Sequence, residues 1–144
     1  VPLLPSATLD QAALRAWGEA LGASVALPTL ITLRGPLGAG KTTVAQAILA
    51  GAGVSDDVTS PTFALVHRYA AQRGPVAHLD LYRLRAPEEL FTLGWDDLLR
   101  EAVLVVVEWP ERVEPSMLGP RLEIVLDDVP GDPDRRSVQV SWLR

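Results

Sequence analysis

Residues 35–42, GPLGAGKT, set two glycines five positions apart and follow the second with a lysine and a hydroxyl. That G-x-x-x-x-G-K-T spacing is suited to holding phosphate. Gly35, Gly38 and Gly40 let backbone N–H groups turn inward, with Ala39 between them as a further candidate contact, and a following helix would offer its positive end to an anion. Lys41 is the only lysine in the chain, and twelve arginines make up the rest of the thirteen basic residues. A compact ammonium on a flexible stem fits a narrow backbone cradle as a point charge on the β and γ phosphates, where a planar guanidinium would not. Thr42 is placed to ligate Mg²⁺ through its hydroxyl, and Thr43 to donate toward the α-phosphate.

Such a site also needs a carboxylate, because Mg²⁺ favours one or two protein oxygens completed by phosphate and water. The run VLVVVE, residues 103–108, ends in Glu108 after five apolar residues. A carboxylate beside a buried strand is costly without a cation, which makes Glu108 the candidate metal acid. In HLDLYR, residues 78–83, Asp80 is the second candidate. It could reach Mg²⁺ through water, orient an attacking water or cap a turn. Strand alternation puts His78 on its face; His78 reads as a packed, hydrogen-bonded histidine and His67 as exposed.

These residues need elements to position them. TLDQAALRAWGEALGA opens with a capping-box pattern, Thr8 followed by Gln11, and sets Leu14, Trp17 and Leu21 on one helical face. LITLR, residues 30–34, reads as a buried strand ending at Gly35, and TTVAQAILAGAG as a helix stopped by Gly51 and Gly53. The phosphate motif thus falls between strand and helix, the context it requires. Residues 58–84 alternate on both sides of QRGP, as two strands joined by a turn do. APEELFTLGWDDLLREA reads as one helix with Pro87 and two glutamates in its first turn. VLVVVEWPE reads as a buried strand, and RLEIVL and SVQVSW, around DDVPGDPDRR, as a C-terminal β-hairpin. The order predicts a single α/β domain over residues 1–144, three-layered, with a mixed, mainly parallel sheet.

Composition removes several function classes. The chain has no cysteine, hence no disulfide and no thiolate metal site or nucleophile. Its net charge of −5 argues against direct nucleic-acid binding, which wants a basic face. The longest purely apolar run, AVLVVV, is far short of a bilayer span, and VPLLPSATLD has no basic stretch typical of a signal peptide. The chain is therefore expected to be soluble, and its first residue, Val, suggests a processed or trimmed N-terminus.

Taken in order, GPLGAGKTT, SPTF at 60–63, HLDLYRL at 78–84 and VVVEWPE at 105–111 resemble the TsaE family, the bacterial P-loop ATPases of tRNA threonylcarbamoyladenosine synthesis. The resemblance covers about two thirds of the chain. It implies a cytoplasmic ATPase that works with the TsaD and TsaB proteins, while the loop and its acid predict binding of ATP or ADP with Mg²⁺ and the net charge of −5 predicts that tRNA is met only through those partners. Carried over to matching residues, it implies a first switch at Ser60, Pro61, Thr62 and Phe63 that senses the γ-phosphate, with Asp80 in the same mobile layer. Asp80, Glu108 and Lys41 together form the candidate catalytic set; the resemblance makes Glu108 and Trp109 the acid and aromatic of a second switch. It also implies nucleotide-base contacts from Thr8 and from either Arg135 or Arg136. The family usually carries Asp after the first loop glycine, where Pro36 stands here.

Two other classes share the loop. A small-molecule kinase needs a lid or acceptor-binding insert, and residues 84–101 are short and acidic with no arginine cluster to clamp a second phosphate. A nucleotide-gated interaction module with negligible turnover would share every residue named. No arginine is placed at the γ-phosphate by the sequence, so hydrolysis is expected to be slow alone and raised by partners.

Overall fold

A computed structural model describes residues 6–55 and 65–144. Ser60, Pro61, Thr62 and Phe63 lie outside the described residues. A seven-stranded sheet has the order β1-β7-β6-β2-β5-β4-β3. The strands are β1 (Ser6–Asp10), β2 (Thr29–Arg34), β3 (Val66–Ala71), β4 (Gly74–Asp80), β5 (Leu104–Glu108), β6 (Arg121–Val129) and β7 (Asp132–Leu143). Pairings β6–β2, β2–β5 and β5–β4 are parallel and form the centre, while β1–β7, β7–β6 and β4–β3 are antiparallel and form the flanks. The fold is the expected mixed α/β sheet with its C-terminal hairpin.

Central strands buried on both faces read as continuous apolar runs, and all five residues of β5 are buried. Alternation divides the core. On one face Ile31, Leu33, Val76, Leu104 and Val106 pack with α1 (Gln11–Ser24) and α2 (Lys41–Gly51). On the other, Ala77, Leu79, Val105 and Val107 pack with α3 (Glu89–Thr92), α4 (Trp95–Glu101) and α5 (Pro115–Leu118). This makes three layers.

α1 and α2 cross at small residues. A Cβ on Gly22 would lie 1.8 Å from the Ile48 carbonyl oxygen, and one on Gly51 would lie 2.0 Å from that of Glu19. Glycine on both sides is what lets the backbones touch. Arg73, in the turn between β3 and β4, donates to the Gly22 and Val25 carbonyls at 2.9 and 2.8 Å, tying the end of α1 to the far side of the sheet.

Three expectations are corrected. Thr8 does not cap α1: it pairs with Ser137 in β1, a strand the local pattern did not suggest. Asp10 is the cap, its carboxylate accepting from the Ala13 N–H at 2.8 Å. The single helix expected after Pro87 is two short ones, because Gly94 sits at φ 81°, in the left-handed region, and breaks the hydrogen-bond ladder between them. His67 is half-buried rather than exposed, with Nδ1 3.2 Å from the Tyr69 hydroxyl.

Candidate functional site

The loop leaves β2 at Arg34 and enters α2 at Lys41. Gly38 and Gly40 adopt φ 78° and 98°, values that a side chain would strain. Gly40 stands at the N-cap of α2 without a side-chain hydrogen bond, so the first turn presents its N–H groups and the positive end of the helix dipole outward. That geometry would suit an anion.

Lys41, 6% exposed, folds back across the loop. Its Nζ donates to the Gly35 carbonyl and, at 2.9 Å, to that of Pro36. The same ammonium lies 3.8 Å from the centroid of the Trp109 ring. Burial pushes its pKa down, against the upward pull of the Glu108, Glu111 and Asp80 carboxylates. Trp109 holds its ring there with φ 60°, the one non-glycine in the left-handed region among the described residues. The Tyr82 ring packs against Trp109 at 4.8 Å.

Thr42 and Glu108, 66 positions apart, meet: Thr42 Oγ1 donates to Glu108 Oε1 at 2.9 Å. Glu108 is 2% exposed, and its Oε2 lies 2.6 Å from His78 Nε2. Asp80 pairs with Glu108 across the β4–β5 ladder, and its Oδ1 accepts from the Tyr82 N–H at 3.0 Å. Two hard oxygens beside the glycine loop would suit Mg²⁺, which favours few protein oxygens and takes its remaining ligands from phosphate and water. Among the described residues no three His, Cys, Asp or Glu side chains converge on a metal position. A cation shared with phosphate does not require them.

Two cavities flank the loop. One, of about 440 Å³, is lined by Lys41, Thr42, Asp80, Glu108 and Trp109. The other, of about 470 Å³, is lined by Asp10, Leu14, Pro133 and Arg136, and both share Gly38, Ala39, Gly40 and Thr43. A third, of about 430 Å³ between β3, β4 and α4, is apolar and contains none of the candidate residues.

Arg136 and Arg135 separate here. Arg136 reaches the Gly38 carbonyl at 3.4 Å and lies 3.6 Å from an Asp128 carboxylate oxygen. Arg135 pairs instead with Asp132 at 3.6 Å, and Thr8 is exposed and lines neither loop cavity. The sequence reading missed Asp10 and Tyr82 as lining residues and His78 as the partner of Glu108. Period-two alternation had placed His78 beside Asp80; the strand register that carries it to Glu108 has no local signal.

The family model described as "Threonylcarbamoyl adenosine biosynthesis protein TsaE" matches residues 8–137. The chain belongs to the TsaE family. Among curated TsaE proteins it is 41% identical to that of Synechocystis over 67% of this chain and 64% of the relative. It is 36% identical to that of Bacillus subtilis over 74% of this chain and 65% of the relative. The chain thus spans a little under two thirds of the length of these relatives. The crystal structure of Bacillus subtilis YdiB superposes with a TM-score of 0.71 at 26% identity, covering 98% of this chain and 88% of that one. The TsaE family is one of threonylcarbamoyladenosine biosynthesis, and the α/β P-loop fold is shared. No helix among the described residues is long and apolar enough to cross a membrane.

Proposed function

We propose that this chain is the Mg²⁺-dependent, ATP-binding and ATP-hydrolysing component of the bacterial machinery that makes threonylcarbamoyladenosine in tRNA, acting with the TsaD and TsaB proteins. The observation that carries the reading is the contact between the Thr42 hydroxyl and the buried Glu108 carboxylate beside the Lys41 cradle. Gly38, Ala39, Gly40 and the first turn of α2 hold the phosphates, Lys41 leaves the Gly35 and Pro36 carbonyls to meet them, and Thr43 donates at the α-phosphate end. Thr42 and Glu108 hold Mg²⁺, whose chemistry is to neutralise charge on the transferring phosphoryl group. Asp80 orients water at the rim. Arg136 and Asp10, in the second cavity, face the nucleoside, and Ser60 and Thr62 act as the γ-phosphate switch.

A chain at net −5 does not hold tRNA by itself, so the partners carry the RNA. No arginine is assigned to the γ-phosphate in this reading, and one supplied or ordered by a partner is worth about 10³ to 10⁵ in rate in related phosphoryl transfers. Hydrolysis is accordingly slow alone and raised in the complex. The test is steady-state ADP release by the chain alone and with saturating TsaD and TsaB, each partner's background subtracted. Equal rates would refute the partner-completed site, and ADP formation that requires a small-molecule acceptor would favour a kinase.

A further inference from the structure

The face of β4 that carries Asp80 also buries His78 completely, and nothing in the proposed chemistry uses it. In the parallel β4–β5 ladder His78 lies opposite Val106, so its ring emerges on the same face and stands diagonal to Glu108, two residues further along. Nε2 approaches Glu108 Oε2 to 2.6 Å while Thr42 Oγ1 holds Oε1 at 2.9 Å. The two oxygens of Glu108 are therefore held by two side chains, one on a central strand and one on the first turn of α2.

We propose that His78 is a positioning residue for the metal carboxylate: its hydrogen bond to Oε2 sets the rotation of Glu108 and keeps Oε1 turned toward Thr42 and the phosphate loop. The terminal torsion of a glutamate is broad and roughly two-fold, so one hydrogen bond alone leaves it free to swing. Thr42 offers its oxygen to the metal in the proposed function, on which this inference rests. His78 provides the contact that metal binding does not redirect. Its burial, with Val76 and Val106 packed in the same core, keeps the ring from leaving the carboxylate. Outer hydrogen bonds of this kind typically contribute 10- to 100-fold to metal affinity by orienting the ligand.

The test uses the full chain with a fluorescent ADP analogue, its affinity measured in EDTA and across a Mg²⁺ titration. Four proteins are compared: wild type, His78→Gln, His78→Asn and His78→Leu. Glutamine can place an amide donor near the position of Nε2, asparagine falls short of it, and leucine fills space without donating. The expected result is a rise of about tenfold or more in the Mg²⁺ half-saturation for Leu and Asn, with Gln within about threefold of wild type and affinity in EDTA unchanged. Folded Leu or Asn variants with wild-type Mg²⁺ half-saturation would overturn the inference, as would a folded Gln variant as impaired as Leu. Loss of fold in both Leu and Asn would also overturn it, by making the contact purely structural. A wild-type protein whose nucleotide affinity ignores Mg²⁺ would instead bring down the proposed function, and this inference with it.

Discussion

Replacing Lys41 by methionine keeps an unbranched stem of similar length at a position where helix propensity barely changes, and removes only the ammonium. Two hydrogen bonds from a charged donor to the Gly35 and Pro36 carbonyls are lost, roughly 1.5–3 kcal/mol each, together with about 1 kcal/mol from the contact with Trp109. Against this stands the cost of holding an ammonium out of water, several kcal/mol per ion, which the variant no longer bears. That relief offsets only part of the loss, and unfolding free energy is expected to fall by a few kcal/mol with the fold retained. In nucleotide binding the carbonyl bonds that Lys41 gives up are replaced by stronger ones, because both partners are then charged. Bonds from the ammonium to phosphate are about twice as strong as those between neutral groups, so losing them is expected to cost about 3 kcal/mol, or ~10²-fold in ADP affinity. Urea unfolding reads the first quantity and titration calorimetry with ADP and Mg²⁺ the second. A natively folded Lys41→Met protein that binds ADP within about threefold of wild type would refute the cradle.

Three further outcomes follow from the same geometry. Glu108→Ala should remove Mg²⁺-dependent hydrolysis while reducing nucleotide binding much less, and a variant with the wild-type rate of ADP release would shift the metal role to Asp80. Arg136→Ala should weaken nucleotide binding about tenfold, the scale of one charged hydrogen bond, whereas Arg135→Ala should leave it unchanged; equal effects in calorimetry would contradict the separation of the two side chains. Gly22→Ala should destabilise the fold by about 3 kcal/mol or more, since its methyl would meet the Ile48 carbonyl and force α1 away from α2; an unchanged urea midpoint would show that the helices can part at little cost.

What could be read from the residues alone was whatever depends on a few neighbours along the chain. The glycine loop is such a feature, since positive φ at Gly38 and Gly40 and the first turn of α2 are local backbone chemistry. The apolar run ending at Glu108 and the C-terminal hairpin were legible for the same reason: burial on both faces and period-two alternation are written in consecutive residues. β1 was not legible, because residues 6–10 become a strand only by pairing with residues 135–139. That pairing displaced Thr8 from the cap that its spacing to Gln11 suggested, leaving Asp10 to do it.

The assembly of the site belonged to the tertiary structure. Thr42 meets Glu108 across 66 positions and His78 meets it across 30, and both contacts depend on where β2, β4 and β5 stop relative to one another. Asp80 opposite Glu108, and Glu108 opposite Leu33, are statements of register. No run of a few residues encodes register between strands far apart in sequence. It is set when the two faces of the sheet are buried against α1 and α2 on one side and α3, α4 and α5 on the other. A slip of one residue would turn the apolar set of a strand to the opposite face. The choice of Arg136 over Arg135 for the loop has the same origin, because adjacent strand residues point to opposite faces and only the docking of β7 against its neighbours decides which of them turns toward Gly38.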